Sequence, residues 1–344
     1  MQLRLPHIDI ARGIGILLVV AGHNWIILSS KGELYRVVYS FHIPLFFVLS
    51  GIFFNYEKSF IHTVKEKFRV LLVPYFFTAI IVELISSLTG LQSTSLGKSL
   101  FWVFYGTGPH LKWVGLWFLP HLFLVSIFCW TYFNIFKVQQ LKWYFQIVML
   151  IIPLIVGWLN IRSFWGMEYT LGNLPIKVNG LPFSADILLI SSSYFMFGSL
   201  AKSWIKNQQV QFIPFVVAAV IFLGGHAITD SSTDLNLRRY DNLIIATSLA
   251  IAGSFIVIVV SKWFARFSAV EKILGYLGRN SLIILIFHSF FQDNLFVLLS
   301  EYTKRFFYVG LITFVTAIIG SIVVAEIINR VKFLQFIYGN SKPN

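Results

Sequence analysis

The sequence predicts an all-α fold, a polytopic membrane helix bundle with about ten transmembrane helices. Hydrophobic residues make up 57% of the 344 residues and charged residues only 12%, and the mean hydropathy is +0.77. Soluble domains average about 25% charged residues, so a soluble fold of this composition would expose a large apolar surface. Apolar stretches of about 20 residues, the length that a helix needs to cross a bilayer, recur along the chain. These stretches do not alternate apolar with polar residues, which favours helices over a β-barrel.

The apolar stretches divide the chain into ten predicted spans within a single domain, 1–344. The stretch 99–110 is aromatic but too short to cross, and we expect it to lie at a membrane interface. The predicted spans cover residues 8–29, 34–55, 70–90, 114–136, 142–160, 185–201, 211–228, 242–261, 281–299 and 306–328.

The basic residues predict the orientation of the chain. The net charge is +13, but Lys and Arg are scattered among short loops instead of forming one stripe, so nucleic acid is not an expected partner. Sixteen of them fall on one side of the ten spans and ten on the other, while Arg12 lies within the first span. Because cytoplasmic loops carry the excess of Lys and Arg, both termini are predicted to be cytoplasmic. The outer loop 229–241 holds charged residues that either meet a polar ligand or are simply solvated.

The first span, "DIARGIGILLVVAGH", carries three polar residues on one face. Arg12 and His23 are eleven residues apart, which on a helix returns to within ~20° of the same direction about 16 Å further along the axis. Asp9 precedes Arg12 by three residues, which is ion-pair spacing. An ionised side chain facing lipid costs at least about 2.5–3.5 kcal/mol, so we expect this face to line the bundle interior or a water-filled cavity.

A structural alternative exists for each of these residues. Asp9 and Arg12 at the cytoplasmic edge, with Arg12 extending outward to the headgroups, would need no ligand. His23 lies too far along the helix for that explanation, but a lone membrane histidine can also be a structural hydrogen-bonding group.

Two further histidines, His42 and His288, are candidates for this site. The second span includes "FHIPLFFVLSG", in which Pro44 removes a backbone hydrogen bond next to His42 and thereby makes room for a ligand. The alternative is an ordinary proline kink whose histidine bonds to a neighbouring helix. His288 lies inside the ninth span, and structural roles are expected for the remaining histidines. The sequence shows no zinc-binding pattern of His or Cys, no phosphate-binding P-loop and no G-x-S-x-G motif, so no metal is expected.

Four segments resemble the acyltransferase-3 family of membrane acyltransferases, in particular the fucose 4-O-acetylases and related sugar O-acetylases. "DIARGIGILLVVAGH" matches the Arg-x10-His element of that family, and "FHIPLFFVLSG" matches its FFxxSG element at Phe46, Phe47, Ser50 and Gly51. "LWFLPHLF" and "NSLIILIFHSF" are similar to segments in its fourth and late spans. The chain departs from the Arg-x-x-Arg pattern that often precedes the third span, because Arg69 is accompanied by Glu66 and Leu72.

The resemblance implies an O-acetyltransferase of a bacterial plasma (inner) membrane, with acetyl-CoA as the donor and a hydroxyl of a cell-surface or lipid-linked carbohydrate as the acceptor. His23 would be the general base, and Asp9 would hold Arg12. The polyanionic donor would bind the basic residues that the sequence places on the cytoplasmic side, and four further residues would bind or support the substrate. The donor-binding residues would be Arg12, Lys65, Lys67 and Arg69, and the supporting residues His42, Ser50, Trp117 and His288.

A transporter or flippase for an anionic or lipid-linked substrate is the alternative function. Charged residues within the membrane and a proline-kinked helix are typical of that class too. Internal inverted repeats would favour a transporter, and the sequence shows no clear repeat. A membrane scaffold would leave the shared face of Arg12 and His23 unexplained.

Overall fold

The computed structural model describes residues 5–30, 32–90, 95–171, 174–207, 209, 212–231 and 233–339, and most of them are helical. The helices are α1 (Pro6–Gly22), α2 (Trp25–Ser30), α3 (Glu33–Ile52), α4 (Phe60–Lys67), α5 (Val73–Leu88), α6 (Leu96–Tyr105), α7 (Phe118–Phe136), α8 (Trp143–Asn160), α9 (Leu188–Leu200), α10 (Lys202–Lys206), α11 (Phe212–Ile228), α12 (Leu243–Phe264), α13 (Ser268–Arg279), α14 (Ser281–Tyr302), α15 (Phe306–Ile328) and α16 (Lys332–Ile337).

Short elements join these helices. A π-helical turn, Phe68–Leu72, connects α4 to α5. The segment between the predicted spans 142–160 and 185–201 contains an antiparallel hairpin of β1 (Trp165–Leu171) and β2 (Leu174–Asn179), in which Glu168 pairs with Lys177. Two further strands have two residues each, β3 (Thr233–Asp234) and β4 (Arg239–Tyr240).

The helical membrane bundle is confirmed, although fewer helices than predicted have the full length of a span. In the part of the chain that the structure describes, eight helical segments are long and apolar enough to cross a membrane. The two other predicted spans correspond to α1 and α11, which have 17 residues each and a length of about 26 Å, at the short end of the spanning range. The eight segments are Glu33–Ile52, Phe60–Leu88, Val114–Phe136, Trp143–Asn160, Pro182–Leu200, Leu243–Phe264, Ser281–Tyr302 and Phe306–Ile328.

The prediction of one continuous first span over 8–29 was wrong. The helix ends at Gly22 and resumes at Trp25, so His23 and Asn24 form a break. Asn24 Oδ1 accepts a hydrogen bond from Ile26 N at 3.1 Å, and Asn24 Nδ2 donates to Gly310 O at 2.9 Å. An asparagine side chain that bonds nearby backbone groups competes with the helix, and here it starts a new one.

The contacts of the chain define two compact units, and the single domain over 1–344 stays a prediction. The first unit comprises Met1–Phe53, Phe197–Asp234 and Tyr240–Ile327. The second unit comprises Phe54–Met196, Leu235–Arg239 and Ile328–Asn344.

The first unit is built around α1, which packs against α3, α12, α13 and α14. Its apolar side chains meet those of the surrounding helices in one buried cluster. Glycines bring α1 and α13 close together: a Cβ atom at Gly13 would overlap the carbonyl group of Leu274, and one at Gly278 would overlap the carbonyl oxygen of Asp9. Small residues allow this approach of two helix backbones. The buried cluster consists of Ile16, Val19, Val20, Leu277, Ile284 and Ala317.

The second unit contains a buried ion pair. Arg238 Nε donates to Asp186 Oδ2 at 2.7 Å and Arg238 Nη2 to Asp186 Oδ1 at 2.9 Å, and neither side chain is exposed. Arg238 Nη1 donates to Asn236 O at 2.7 Å. Gly180, at φ +112°, leaves the space that the guanidinium occupies, since a Cβ atom there would overlap it. Arg238, one of the charged residues of the loop 229–241, is therefore a structural residue and not an exposed ligand contact.

The contact between α1 and α13 generates a prediction for Gly278→Ala. The new Cβ atom would overlap the Asp9 backbone, and overpacking of this kind destabilises proteins by about 1–3 kcal/mol. We therefore expect a lower thermal unfolding midpoint in detergent. Gly224→Ala in α11 is the matched control, because a Cβ atom at this position would have no heavy atom of another residue within 4 Å, and alanine favours helix. Equal midpoints for the two variants would contradict the prediction.

Candidate functional site

The structure places Arg12 and His23 at opposite ends of one helical segment in the first unit. His23 follows the last residue of α1 with helical backbone angles (φ −85°, ψ −1°), and its N–H donates to Val19 O. The helical path therefore continues to His23, and the two residues are separated by about 16 Å along the axis. Both side chains are half-buried.

The hydrogen bond of His23 fixes the position of its ring proton. His23 Nδ1 lies 2.9 Å from Val19 O. A carbonyl oxygen only accepts, so Nδ1 carries the proton and donates it. In the neutral imidazole the other nitrogen, Nε2, then has a free lone pair. That nitrogen can accept a proton from a substrate.

His42 and His288 show the same arrangement near His23. His42 Nδ1 lies 2.8 Å from Val38 O, and His288 Nδ1 lies 2.9 Å from Leu285 O. The His288 ring meets the His23 ring edge to face, with 5.1 Å between the ring centroids. His42 also interacts electrostatically with His23. The three histidines predicted from three different spans therefore lie in one unit with the same ring orientation toward their own helices.

A pair of tyrosines on α3 extends this cluster. Tyr39 Oη donates to Gly22 O at 3.2 Å, and the Tyr39 ring lies 4.8 Å from the His42 ring. Tyr35 stacks on Tyr39 at 4.0 Å and donates to Asp234 Oδ2 at 3.0 Å. Neither tyrosine was predicted from the sequence, although positions 35, 39 and 42 have the i, i+4, i+7 spacing of one helix face.

Cations surround the other end of the segment. The Arg12 guanidinium lies over the Phe53 ring at 5.1 Å, and Lys206 Nζ lies 5.6 Å from the centroid of the same ring. Asp9 interacts electrostatically with Arg12, and its Oδ2 atom lies 3.8 Å from Arg279 Nη1. Neither Lys206 nor Arg279 was predicted to belong to this site.

Ser50 belongs to the Arg12 end of α3. It is half-buried and precedes Phe53 by three residues, whereas His42 lies eight residues earlier, about 12 Å along the helix. α3 continues through Pro44. Ser50 and His42 are therefore separated in space, so one small reactive group would not contact both.

A second group of cations lines a cavity of about 520 Å³ in the second unit. Two of the predicted donor-binding residues, Lys65 and Arg69, belong to it, whereas Lys67 lies on α4 outside its lining. We call this the basic cavity. Its lining consists of Lys58, His62, Lys65, Glu66, Arg69, Val70 and Gly339.

Glu66 organises the basic cavity. Lys58 Nζ lies 2.6 Å and His62 Nε2 3.5 Å from Glu66 Oε2. Arg69 lies over the Phe336 ring at 5.1 Å and belongs to the π-helical turn, a feature often found at functional sites. Glu66, at which the chain departs from the Arg-x-x-Arg pattern, thus contacts both Lys58 and His62. Lys58 and His62 were not predicted, although His62, Glu66 and Arg69 have the spacing of one helix face.

Trp117 is buried in the second unit. It is 3% exposed and packs against His121, with 5.5 Å between the ring centroids. Nearby in the sequence, His110 stacks on Trp102 at 3.7 Å. Burial, Arg238 and Lys98 lower the pKa of His110 to about 4, so this histidine is neutral near pH 7. Trp117 and Trp102 therefore pack against histidine rings within this unit.

Within the described residues, no group of three or more His, Cys, Asp or Glu side chains has the geometry to hold a metal ion. In the cluster of His23, His42 and His288, each ring is hydrogen-bonded through Nδ1 to its own helix.

Comparison with known proteins adds one match. A family model, the acyltransferase domain of the acyltransferase-3 family, matches residues 5–329, which is nearly the whole chain. No curated protein and no solved structure matches the chain significantly. The match includes Arg12, the three clustered histidines and the basic cavity residues 58–70. The chain therefore belongs to the acyltransferase-3 family and is a membrane acyltransferase.

Proposed function

We propose that the protein transfers an acetyl group from cytoplasmic acetyl-CoA to a hydroxyl of a cell-surface or lipid-linked sugar, with His23 as the general base. The observation that carries this proposal is the hydrogen bond from His23 Nδ1 to Val19 O, which leaves Nε2 free to accept a proton. The family supports acyl transfer in a membrane, and this favours the enzyme over the transporter. Acetyl as the acyl group and sugar as the acceptor come from the resemblance of the motifs.

The reaction uses one proton acceptor. His23 Nε2 removes the proton from the acceptor hydroxyl as its oxygen attacks the thioester carbonyl carbon. The C–S bond then breaks, the acetyl group stays on the oxygen, and the thiolate leaves with the proton from the imidazolium. Base catalysis of this kind typically contributes ~10²–10⁴-fold to the rate.

The neighbours of His23 have supporting roles in this proposal. The hydrogen bond to Val19 O orients the ring, and the edge of His288 restricts its rotation. His42, next to Tyr39, is placed to orient the acceptor. Asp9 holds Arg12 through their electrostatic interaction.

The phosphates of the donor have a candidate site in each unit. Arg12 provides a planar guanidinium that makes paired hydrogen bonds to oxyanions, with Lys206 beside the same ring. Ser50 supports this site as a hydroxyl near Phe53. The basic cavity provides a second set of cations, Lys58, Lys65 and Arg69, with His62 as a further hydrogen-bonding group.

Removal of the base should abolish transfer. We expect His23→Asn to lower acetyl transfer from acetyl-CoA by ~10²–10⁴-fold, because asparagine can still donate to Val19 O but has no basic nitrogen. The measurement is acetylation of a membrane glycan extract by protein in proteoliposomes, followed by mass spectrometry. His226→Asn, at the end of α11, is the control and should retain transfer. Wild-type activity of His23→Asn at equal protein levels would reject the general base.

The guanidinium of Arg12 should matter beyond its charge. We expect Arg12→Lys to weaken CoA binding about tenfold, since a point charge replaces a bidentate donor and a hydrogen bond to a charged group contributes about 1.5–3 kcal/mol. Calorimetric titration of the purified protein with CoA measures this. Arg36→Lys is the matched control, because Arg36 pairs with Glu33 and Asp230 instead. An unchanged affinity of Arg12→Lys would exclude Arg12 from the donor site.

The charge that a substitution removes from the basic cavity should determine whether CoA binds more weakly or more tightly. We expect Arg69→Gln and Lys65→Ala to weaken CoA binding several-fold, and Glu66→Gln to strengthen it, because Glu66 is the acidic residue in the lining. The differences should shrink at high salt. Titration with CoA measures them, and Lys137→Ala on an exposed residue is the control. If Glu66→Gln changes the affinity in the same direction as Arg69→Gln, the cavity does not bind the donor.

A further inference from the structure

A buried glutamine on α14 has no hydrogen-bond partner in the described part of the chain. Gln292 is 2% exposed, and both Nε2 and Oε1 are unpartnered. Burial of an amide without a hydrogen bond is unfavourable, and buried polar side chains are paired in most proteins. The unpaired carboxamide of Gln292 therefore has both a donor and an acceptor available for a ligand.

The position of Gln292 is defined by contacts one turn before it and one turn after it. Four residues earlier, the His288 ring lies 5.1 Å from the His23 ring. Four residues later, the Phe296 ring lies 5.0 Å from the Trp25 ring. Residues four apart share a helix face, so Gln292 belongs to the face of α14 that meets the break between α1 and α2. Gln292 thus lies one helical turn from His288, whose ring contacts that of the proposed base.

The two free atoms define the chemistry of the ligand. Nε2 donates and Oε1 accepts, so a matching group presents an acceptor and a donor side by side. Two adjacent hydroxyls of a sugar do so. A thioester carbonyl oxygen only accepts and would leave Oε1 unpaired.

We propose that Gln292 binds the acceptor through paired hydrogen bonds to two adjacent hydroxyls and so selects a vicinal diol for transfer at His23. This inference rests on the proposed function and adds to it the feature of the acceptor that the site recognises. A site that hydrogen-bonds a substrate hydroxyl discriminates strongly against an analogue without it, because its own polar groups then stay unpaired.

The test compares acceptors with and without a diol. Purified protein in nanodiscs receives acetyl-CoA and either a methyl hexopyranoside (gluco, galacto or manno) or cyclohexanol, which has one hydroxyl. We expect the wild type to prefer at least one hexoside by tenfold or more in kcat/KM. We expect Gln292→Leu to raise the KM for that hexoside at least tenfold, with the KM for acetyl-CoA and the transfer to cyclohexanol unchanged. Asn294→Leu, an exposed amide on the same helix, is the control and should behave as wild type.

Thermal unfolding measures binding independently of transfer. We expect Gln292→Leu to be at least as stable as wild type without ligand, because it removes two unpaired buried atoms, and to lose the stabilisation by the hexoside. If a hexoside raises the unfolding midpoint only of proteins that keep Gln292 but is not acetylated by them, the diol site is supported and the proposed function is rejected. Transfer with an unchanged hexoside KM in Gln292→Leu rejects the diol site alone. If no hexoside stabilises the wild type or is acetylated by it, the diol site is rejected.

Discussion

The close packing of α1 within the first unit is the constraint on which the site depends. Charged and imidazole side chains are tolerated in a short apolar helix only when other helices or water surround it. α1 meets four helices, and the glycines at positions 13 and 278 bring one of them to backbone contact. This position allows Arg12 and His23 to face the interior of the protein instead of lipid. The same packing limits substitution along α1, because large side chains there would displace the surrounding helices.

The three histidines illustrate how a helix backbone fixes the tautomer of an imidazole side chain. In each of them, Nδ1 donates to a carbonyl three or four residues earlier in the same helix. The backbone thereby selects one tautomer without the help of a carboxylate, which would add another charge within the membrane. His23 differs from the other two in its position, since it is at the break between α1 and α2. Its ring is half-buried, whereas those of His42 and His288 are buried.

The sequence predicted the fold class, and four of the residues predicted for the site, Arg12, His23, His42 and His288, lie in the first unit of the structure. The length of the apolar stretches predicted the helices, and helix geometry predicted the distance of Arg12 from His23. The break at His23 and Asn24 was not predicted, because it depends on the hydrogen bond from Asn24 to Gly310, which is 286 residues away in the sequence. Lys206 and Arg279 approach the Arg12 end only through tertiary packing. The hairpin of β1 and β2 was not predicted either, since the sequence pattern predicted only the helical spans on either side of it.

The ion pair between Arg238 and Asp186 has a consequence for the biosynthesis of the protein. Its two members are 52 residues apart in the sequence. Residues 235–239 belong to the second unit but come after most of the helices of that unit in the chain. An unpartnered buried aspartate is costly, so the second unit cannot reach its final packing before Arg238 has been synthesised. By then the ribosome has already produced α9 to α11. Assembly of the second unit is therefore expected to be late, with the helices that precede Arg238 synthesised before residues 235–239 complete the ion pair.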